Sequence, residues 1–491
     1  MKARWPRIAT VCLLAAWIGV AGWQAAKPLP EGVHVASPIC RQGAGAVAFI
    51  ADITAADAFG RAVVSQGIFD AVLEVVHGAR HFIVLDYSAI GADAAAAGPQ
   101  RRIAAELTDA LLERRRTQPD LAVLFITDPA NERYGAARSP ELQLLRAAGV
   151  EVVLTGLDRL RDSNLAYSSL WRLTLRWWDP PSGPFGVETR RLNFKADDRR
   201  LVIADDGRGG LTAVIGSATP LDSESGWSNV AARLTGGALE SLLESELAIA
   251  RFSGWAGSSE RFLARGAQSP RPADCAASAG APLAAPAEVT ESDARVQLLT
   301  EGAIREGLLA RVDATGRGDA IDVAMFHLAE RGVIESLLAA ARRAVSVRVI
   351  LDPDAAAPTG TAAAIPNQPV ASELVARSGG AIRLRWYRTH GERFHDSLVM
   401  IYGPQQLWLT LGSAQLTRRS LADYNLEANV VLEVTRSSAL AQQALQYFDT
   451  LWVNRAALGI EYSADFAVFA DPAQSDYWLG RLMEGAGLSA F

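Results

Sequence analysis

His395-Asp396-Ser397-Leu398-Val399-Met400-Ile401, followed after a turn and a second apolar run by Gly412-Ser413-Ala414-Gln415, is the stretch that decides how this chain is read. The same layout occurs about two hundred residues earlier, so the chain carries an internal duplication. There it reads Asp198-Arg199-Arg200, then Leu201-Val202-Ile203-Ala204-Asp205, then Gly216-Ser217-Ala218-Thr219. Each copy is a polar triplet, an apolar strand, a turn, a second strand and a Gly-Ser-Ala corner. The copies share layout but not side-chain chemistry, because only the second has a histidine.

Outward from these motifs, each half alternates helix and strand. The first half has helical spacing over Ile68–Arg80, Ile103–Arg116 and Glu141–Ala148, with strands over His81–Tyr87, Leu121–Thr127 and Val150–Leu154. An aromatic insertion, Ser163–Arg190, then precedes the motif strands. The second half repeats the order: helices over Ile304–Arg311, Val333–Ala344 and Ala371–Arg377, strands over Ile321–Phe326, Val345–Leu351 and Ile382–Tyr387. The pattern predicts an α/β molecule of two similar halves, each a mixed sheet flanked by helices, related by a pseudo-two-fold axis. A site is expected at the seam between them. The expected division is 1–30 signal peptide or N-terminal membrane anchor, 36–268 first half, 269–288 Pro/Ala/Ser-rich linker, 289–470 second half and 471–491 tail.

The chain has 491 residues, 49% of them hydrophobic, and a net charge of −6, enough apolar content for two cores and without the basic footprint of a nucleic-acid binder. Lysine is confined to Lys2, Lys27 and Lys195, so arginine supplies almost all positive charge. Lys2, Arg4 and Arg7 precede an apolar run from Ile8 to Trp23, which predicts a secretory signal or a signal anchor with the bulk of the chain exported, periplasmic or extracytoplasmic. An exported chain permits a disulfide, and Cys40 and Cys275 flank the first repeat. The competing reading is two free thiols.

At the motif residues the chain resembles the phospholipase D superfamily, whose members carry two His-x-Lys-x4-Asp motifs, each followed by Gly-Ser-x-Asn. The stretches Gly412–Ser420 with Tyr424–Val430, and Gly216–Pro220 with Ser228–Ala231, carry the likeness. The resemblance implies metal-independent phosphodiester hydrolysis or phosphatidyl transfer with no cofactor. One histidine attacks phosphorus and the other protonates the leaving alcohol, while lysines and Gly-Ser-x-Asn side chains hold the phosphate oxygens.

Carried over residue by residue, both copies are degenerate. Asp198 stands in the histidine slot of the first copy, Arg200 in the lysine slot, Asp205 in the aspartate slot and Thr219 in the asparagine slot. In the second copy His395 is retained, Ser397 replaces the lysine, Tyr402 the aspartate and Gln415 the asparagine. A carboxylate at position 198 is a poor general acid unless its pKa is raised, and it repels phosphate. The resemblance assigns His395 as nucleophile or acid, with Glu427 as the acid that orients it and Asp198 as the remaining proton donor. Arg200, Lys195, Ser217, Ser397, Ser413 and Gln415 are the phosphate-binding candidates. His390 and His327 are open candidates for the missing histidine. No metal-ligand spacing is present.

Three functional readings follow. The first is an impaired phosphodiesterase or phosphatidyltransferase acting on a phospholipid or other phosphodiester, tethered to the membrane by its N-terminal segment. The second is a pseudoenzyme that binds a phospholipid headgroup or a protein partner. The third, a nuclease, is disfavoured by the acidic balance. The oligomeric state is left open. The segment Trp171–Trp178 is read either as packing over the core or as a wall against acyl chains or the bilayer.

Overall fold

The computed structural model describes residues 4–57, 59–92, 101–178, 183, 185–266, 275, 293–353, 367–455 and 459–469. The expected linker, apart from Cys275, and the expected tail lie outside the described residues.

Seventeen strands are described. In the first part of the chain they are β1 (Cys40–Gly43), β2 (Val47–Ala56), β3 (Ala62–Ser65), β4 (Phe82–Tyr87), β5 (Ala122–Thr127), β6 (Glu151–Leu154), β7 (Arg200–Asp205), β8 (Leu211–Gly216) and β9 (Asn229–Thr235). In the second they are β10 (Asp293–Thr300), β11 (Ala320–Met325), β12 (Ser346–Leu351), β13 (Ile382–Tyr387), β14 (Ser397–Tyr402), β15 (Gln406–Gly412), β16 (Ala428–Thr435) and β17 (Ser463–Asp465). One sheet has the order β3-β2-β9-β8-β7-β4-β5-β6 and the other β1-β10-β16-β15-β14-β11-β12-β13-β17. Seven consecutive strands match between them. In each, three crystallise the pattern of helical crossovers: β4, β5 and β6 are parallel, as are β11, β12 and β13, while the motif strands pair antiparallel. Both sheets are therefore mixed, as the sequence pattern predicts.

The motif strands β7 and β8 are buried along their whole length, and β14 and β15 along all but the residues Tyr402 and Gln406 next to their connecting turn. The central core between the sheets takes Leu201, Ile203, Leu398 and Met400 from the motif strands. It is filled by two helices, Glu240–Phe252 and Ala439–Val453, through Leu243, Leu247, Ala444 and Phe448. Outer helices cover the opposite faces, with Ile68–Gly78 and Ile103–Thr117 on one sheet and Arg331–Arg342 and Asn367–Arg377 on the other. The sequence pattern places most crossover helices and motif strands within a few residues of their observed limits. It misses β2, β9, β10, β16 and the two central helices. β9 and β16, buried on both faces, lack period-2 alternation, and Asn229-Val230-Ala231-Ala232 gives no other signal.

At each Gly-Ser-Ala corner the neighbouring strand approaches closely. A Cβ on Gly216 would lie 2.6 Å from the Val230 carbonyl oxygen, and one on Gly412 would collide with the Ala428 carbonyl. Glycine is required there by contact rather than by dihedral angle. Cys40 and Cys275 are disulfide-bonded, with Cα atoms 4.0 Å apart.

The halves are locked by a buried ion triad. Arg199, fully buried, donates to Glu246 at 2.6 Å and to Glu301 at 2.8 Å, and Glu301 also accepts from the Glu427 main-chain N–H at 3.1 Å. Burial opposes the Arg199 charge, but Glu301 and Glu246 overcome it and hold the guanidinium protonated. Glu301 sits at φ +48°, a costly left-handed conformation for a side-chain-bearing residue, which the surrounding contacts must over-determine. Removing one partner of a buried pair leaves an uncompensated charge and costs about 3–5 kcal/mol. Arg199→Ala is therefore expected to lose that much stability in urea unfolding, and a loss below about 1 kcal/mol, the range of an exposed ion pair, would show that the triad does not hold the halves together.

Candidate functional site

The two halves exchange main-chain hydrogen bonds at the seam in a symmetric way. The Asp198 N–H donates to the Leu426 carbonyl at 3.0 Å, and the His395 N–H donates to the Ser228 carbonyl at 2.8 Å. Each motif triplet thus docks on the segment that leads into the last core strand of the other half. This crossed docking brings Asp198 and His395 to one seam and decides which side chains meet.

His395, almost fully buried, has its Nδ1 3.1 Å from Asn229 Oδ1. The Asn229 amide nitrogen donates to the Trp227 carbonyl at 3.3 Å, and its oxygen accepts from Ser217 Oγ at 3.0 Å. The amide oxygen therefore faces the imidazole, and Nδ1 carries the proton. Trp227 and Phe326 pack edge-on against the ring at 5.2 and 4.9 Å. Burial drives the His395 pKa well below its ordinary value, and the charge of Arg200 and the proximity of His327 add to the shift. The imidazole is neutral at physiological pH.

Glu427 does not orient His395. It is fully buried on the Asp198 side of the seam, where Ser413 Oγ donates to it at 2.6 Å and Asn425 Nδ2 at 3.4 Å. This corrects the sequence expectation, which paired Glu427 with the histidine of its own half. Because the docking is crossed, the orienting position for His395 belongs to the first half and is filled by Asn229. Burial is the main cause that raises the Glu427 pKa to about 8, and the Asp198 charge raises it further against the opposing Arg200.

Arg200 joins the two sides. Its guanidinium donates to Asp198 at 2.6 Å, to Thr219 Oγ1 at 3.0 Å and to the Ser413 carbonyl at 3.3 Å. The expected phosphate clamp is thus ion-paired within the protein. The other phosphate-binding candidates are engaged in the same manner. Ser217 and Ser413 hold Asn229 and Glu427, Ser397 donates to the Ala414 carbonyl, and Gln415 accepts from the His327 N–H at 3.1 Å. Lys195 is ion-paired to Asp162 and donates to the Leu157 and Leu160 carbonyls at 3.0 Å, so it fastens the aromatic insertion to the body instead of reaching the seam. His390 is engaged with Glu392 on a turn. His327 approaches the His395 ring by way of Phe326, whose ring lies 3.8 Å from its own.

The residues the sequence reading passed over are Asn229, Trp227 and Arg419. Arg419 contributes to the charge balance of Asp198, Glu427 and Asp128. It also lines a cleft of about 970 Å³ with Asp128, Tyr134, Phe194 and Lys195. Symmetry with Glu427 is the sequence signal that points to Asn229.

Residues 310–452 match the family described as cardiolipin synthase, PLD-like domain. A search of curated proteins found no match. Among solved structures, the phosphatidylserine synthase of Haemophilus influenzae Rd KW20 is similar over 91% of this chain and 94% of its own, at 11% identity and a TM-score of 0.53. Nuc, a phospholipase D family member from Salmonella typhimurium, aligns over 35% of this chain and 97% of its own, at 20% identity and a TM-score of 0.27. The family match thus assigns residues 310–452 to a PLD-like domain, and the likeness to the phosphatidylserine synthase shows a shared fold over most of the chain.

The electrostatics make a pH prediction. A carboxyl whose folded pKa lies above its unfolded value contributes stability that is complete below about 4.5 and is lost as pH rises through about 8. Wild type should therefore lose stability relative to Glu427→Gln between pH 5 and pH 9, read by urea unfolding at each pH. A constant difference across that window would show that Glu427 does not titrate as described.

Proposed function

We propose that this chain is a phospholipase D-like protein in which the seam no longer turns over phosphodiesters through a phosphohistidine, and that it binds a phospholipid headgroup or related phosphodiester beside the seam. The observation that carries this reading is the Asp198–Arg200 ion pair, 2.6 Å long, in the place of the second histidine. It removes the proton donor, neutralises the cation in the lysine slot of the first copy and presents a carboxylate to an incoming phosphate. Asn229 adds to this, since an amide cannot stabilise an imidazolium as a carboxylate does. The cleft in which Arg419 and Arg191 face Asp128 and Glu188 offers the alternative place for a zwitterionic headgroup, the arginines taking its phosphate.

A second reading has one observation in its favour. His395 is neutral and held in a single tautomer, as a nucleophile requires, and Glu427 keeps a proton at neutral pH. Slow transfer with the carboxyl pair as acid is the activity this arrangement would retain.

The test is hydrolysis of bis(p-nitrophenyl) phosphate and of vesicles of phosphatidylglycerol and phosphatidylethanolamine. Wild type and His395→Ala are expected to be indistinguishable from buffer, since loss of general-acid help alone removes about 10²–10⁴ in rate. Wild-type turnover that disappears in His395→Ala would sink the first reading and establish the second. On the binding side, glycerophosphoethanolamine is expected to bind in calorimetry and to bind at least about tenfold more weakly to Arg419→Gln, the scale of one lost charged hydrogen bond. Unchanged affinity would move the ligand site elsewhere.

A further inference from the structure

The N-terminus forms a 23-residue helix, Arg4–Ala26, whose stretch Arg7–Ala26 is apolar enough to cross a membrane. Its last turns are built into the body. Trp17 Nε1 donates to the Ala166 carbonyl at 3.1 Å, and the Gln24 carbonyl accepts from the Asp162 N–H at 3.4 Å. Lys27 Nζ, at the foot of the helix, donates to the Asp158 carbonyl at 2.8 Å, and Arg161 Nε donates to the Lys27 carbonyl at 3.0 Å. Val20 and Ala21 are half-buried on the same helical stripe. The outer half, from Arg7 to Ala16, is exposed, including Ile8, Val11, Leu13 and Leu14.

These contacts run in opposite directions along the two segments: as the N-terminal helix goes back from Lys27 to Trp17, its partner advances from Asp158 to Ala166. The helix Leu165–Leu173 therefore leads away from the foot, in the direction in which the N-terminal helix leaves the body. It is followed at once by Leu175–Trp178. The two halves of the sequence alternative are divided between its tryptophans. Trp171 is buried beneath Arg172, Arg176 and Arg190, whereas Trp177 and Trp178 are 79% and 86% exposed. Leu170 and Leu173 are exposed on the same helix as Trp171, and Phe185 is exposed at the start of the helix Gly186–Arg191, whose Arg190 stacks on Trp171.

Length then decides what the patch meets. The 20 residues Arg7–Ala26 span about 30 Å, the thickness of the hydrocarbon layer. The exposed half alone spans about 15 Å and cannot cross it. The helix satisfies its apolar length only if its docked half is immersed as well, which carries the attached helices to the bilayer surface. We propose that Trp177, Trp178, Phe185, Leu170 and Leu173 form a membrane-embedded face that seats the body against the leaflet into which the N-terminal helix enters. Tryptophan rings favour the depth of the headgroups, and the face completes an apolar surface that the helix alone leaves short. The inference does not depend on the chemistry of the seam.

The experiment uses the full chain in vesicles of phosphatidylglycerol and phosphatidylethanolamine, with and without brominated lipids. A bimane label is placed at Cys12 of the wild type, or at a single new thiol in Cys12→Ser carrying Trp178→Cys, Phe185→Cys or Val468→Cys. The expected result is loss of emission at Cys12, 178 and 185 and none at position 468, which is also exposed. Quenching at Cys12 with 178 and 185 as unaffected as 468 would overturn the proposal, because the helix would insert without the face. Absence of quenching at Cys12 would overturn it too. A blue shift at 178 that needs no lipid and grows with protein concentration would assign the face to a second copy of the chain instead.

Discussion

Arg199, held between Glu246 and Glu301 with no access to water, is the interaction on which the seam depends. It lies between the two side chains that define the site, Asp198 and Arg200, and it reaches out of the first half to Glu301 at the start of the helix Gly302–Asp313. Glu301 in turn accepts the Glu427 N–H. One guanidinium therefore fixes the relative position of Asp198, Arg200 and Glu427. The pseudo-symmetric place in the other half has reversed chemistry. Asp396 stands where Arg199 would, accepts from Tyr447 at 2.6 Å, and is pushed to a pKa of about 8 by burial. The duplication kept the geometry of a buried polar anchor on each side of the axis while the charges diverged.

The seam diverged in the same manner. Crossed docking sets two equivalent places, one holding His395 with Asn229 and Ser217, the other Asp198 with Glu427 and Ser413. A symmetric ancestor with a histidine and a carboxylate in each place would have had two like pairs; here each pair has kept one member. The neutral imidazole faces an amide, and the raised carboxyl faces a carboxylate. Arg200 lies between them and compensates the charge of the acidic side.

Much of this architecture is legible in the sequence, for definite reasons. The crossover helices and motif strands carry strong periodicity, and the Gly-Ser-Ala corners mark the close approach of strands that only glycine allows. β9 and β16 escape because burial on both faces erases alternation. The site is half legible. Asp198, Arg200 and His395 announce themselves, but their partners depend on which half each motif docks against, and no local pattern encodes a contact across the seam. Glu427 is assigned to the wrong side for that reason. Lys195 is misleading for another: a lone lysine close to a motif invites a functional role, and only its three partners within the protein show that it is an internal tie.

The crossed pairing is the central claim, and the imidazole of His395 reports on it directly. Among the six histidines of the chain, ¹⁵N-imidazole spectra followed against pH resolve its titration and tautomer. The account predicts an Nδ1-protonated, neutral ring whose titration is raised by Asn229→Asp, which supplies a carboxylate at hydrogen-bond distance, and is little moved by Glu427→Gln. A His395 titration that ignores Asn229→Asp and shifts with Glu427→Gln would contradict it.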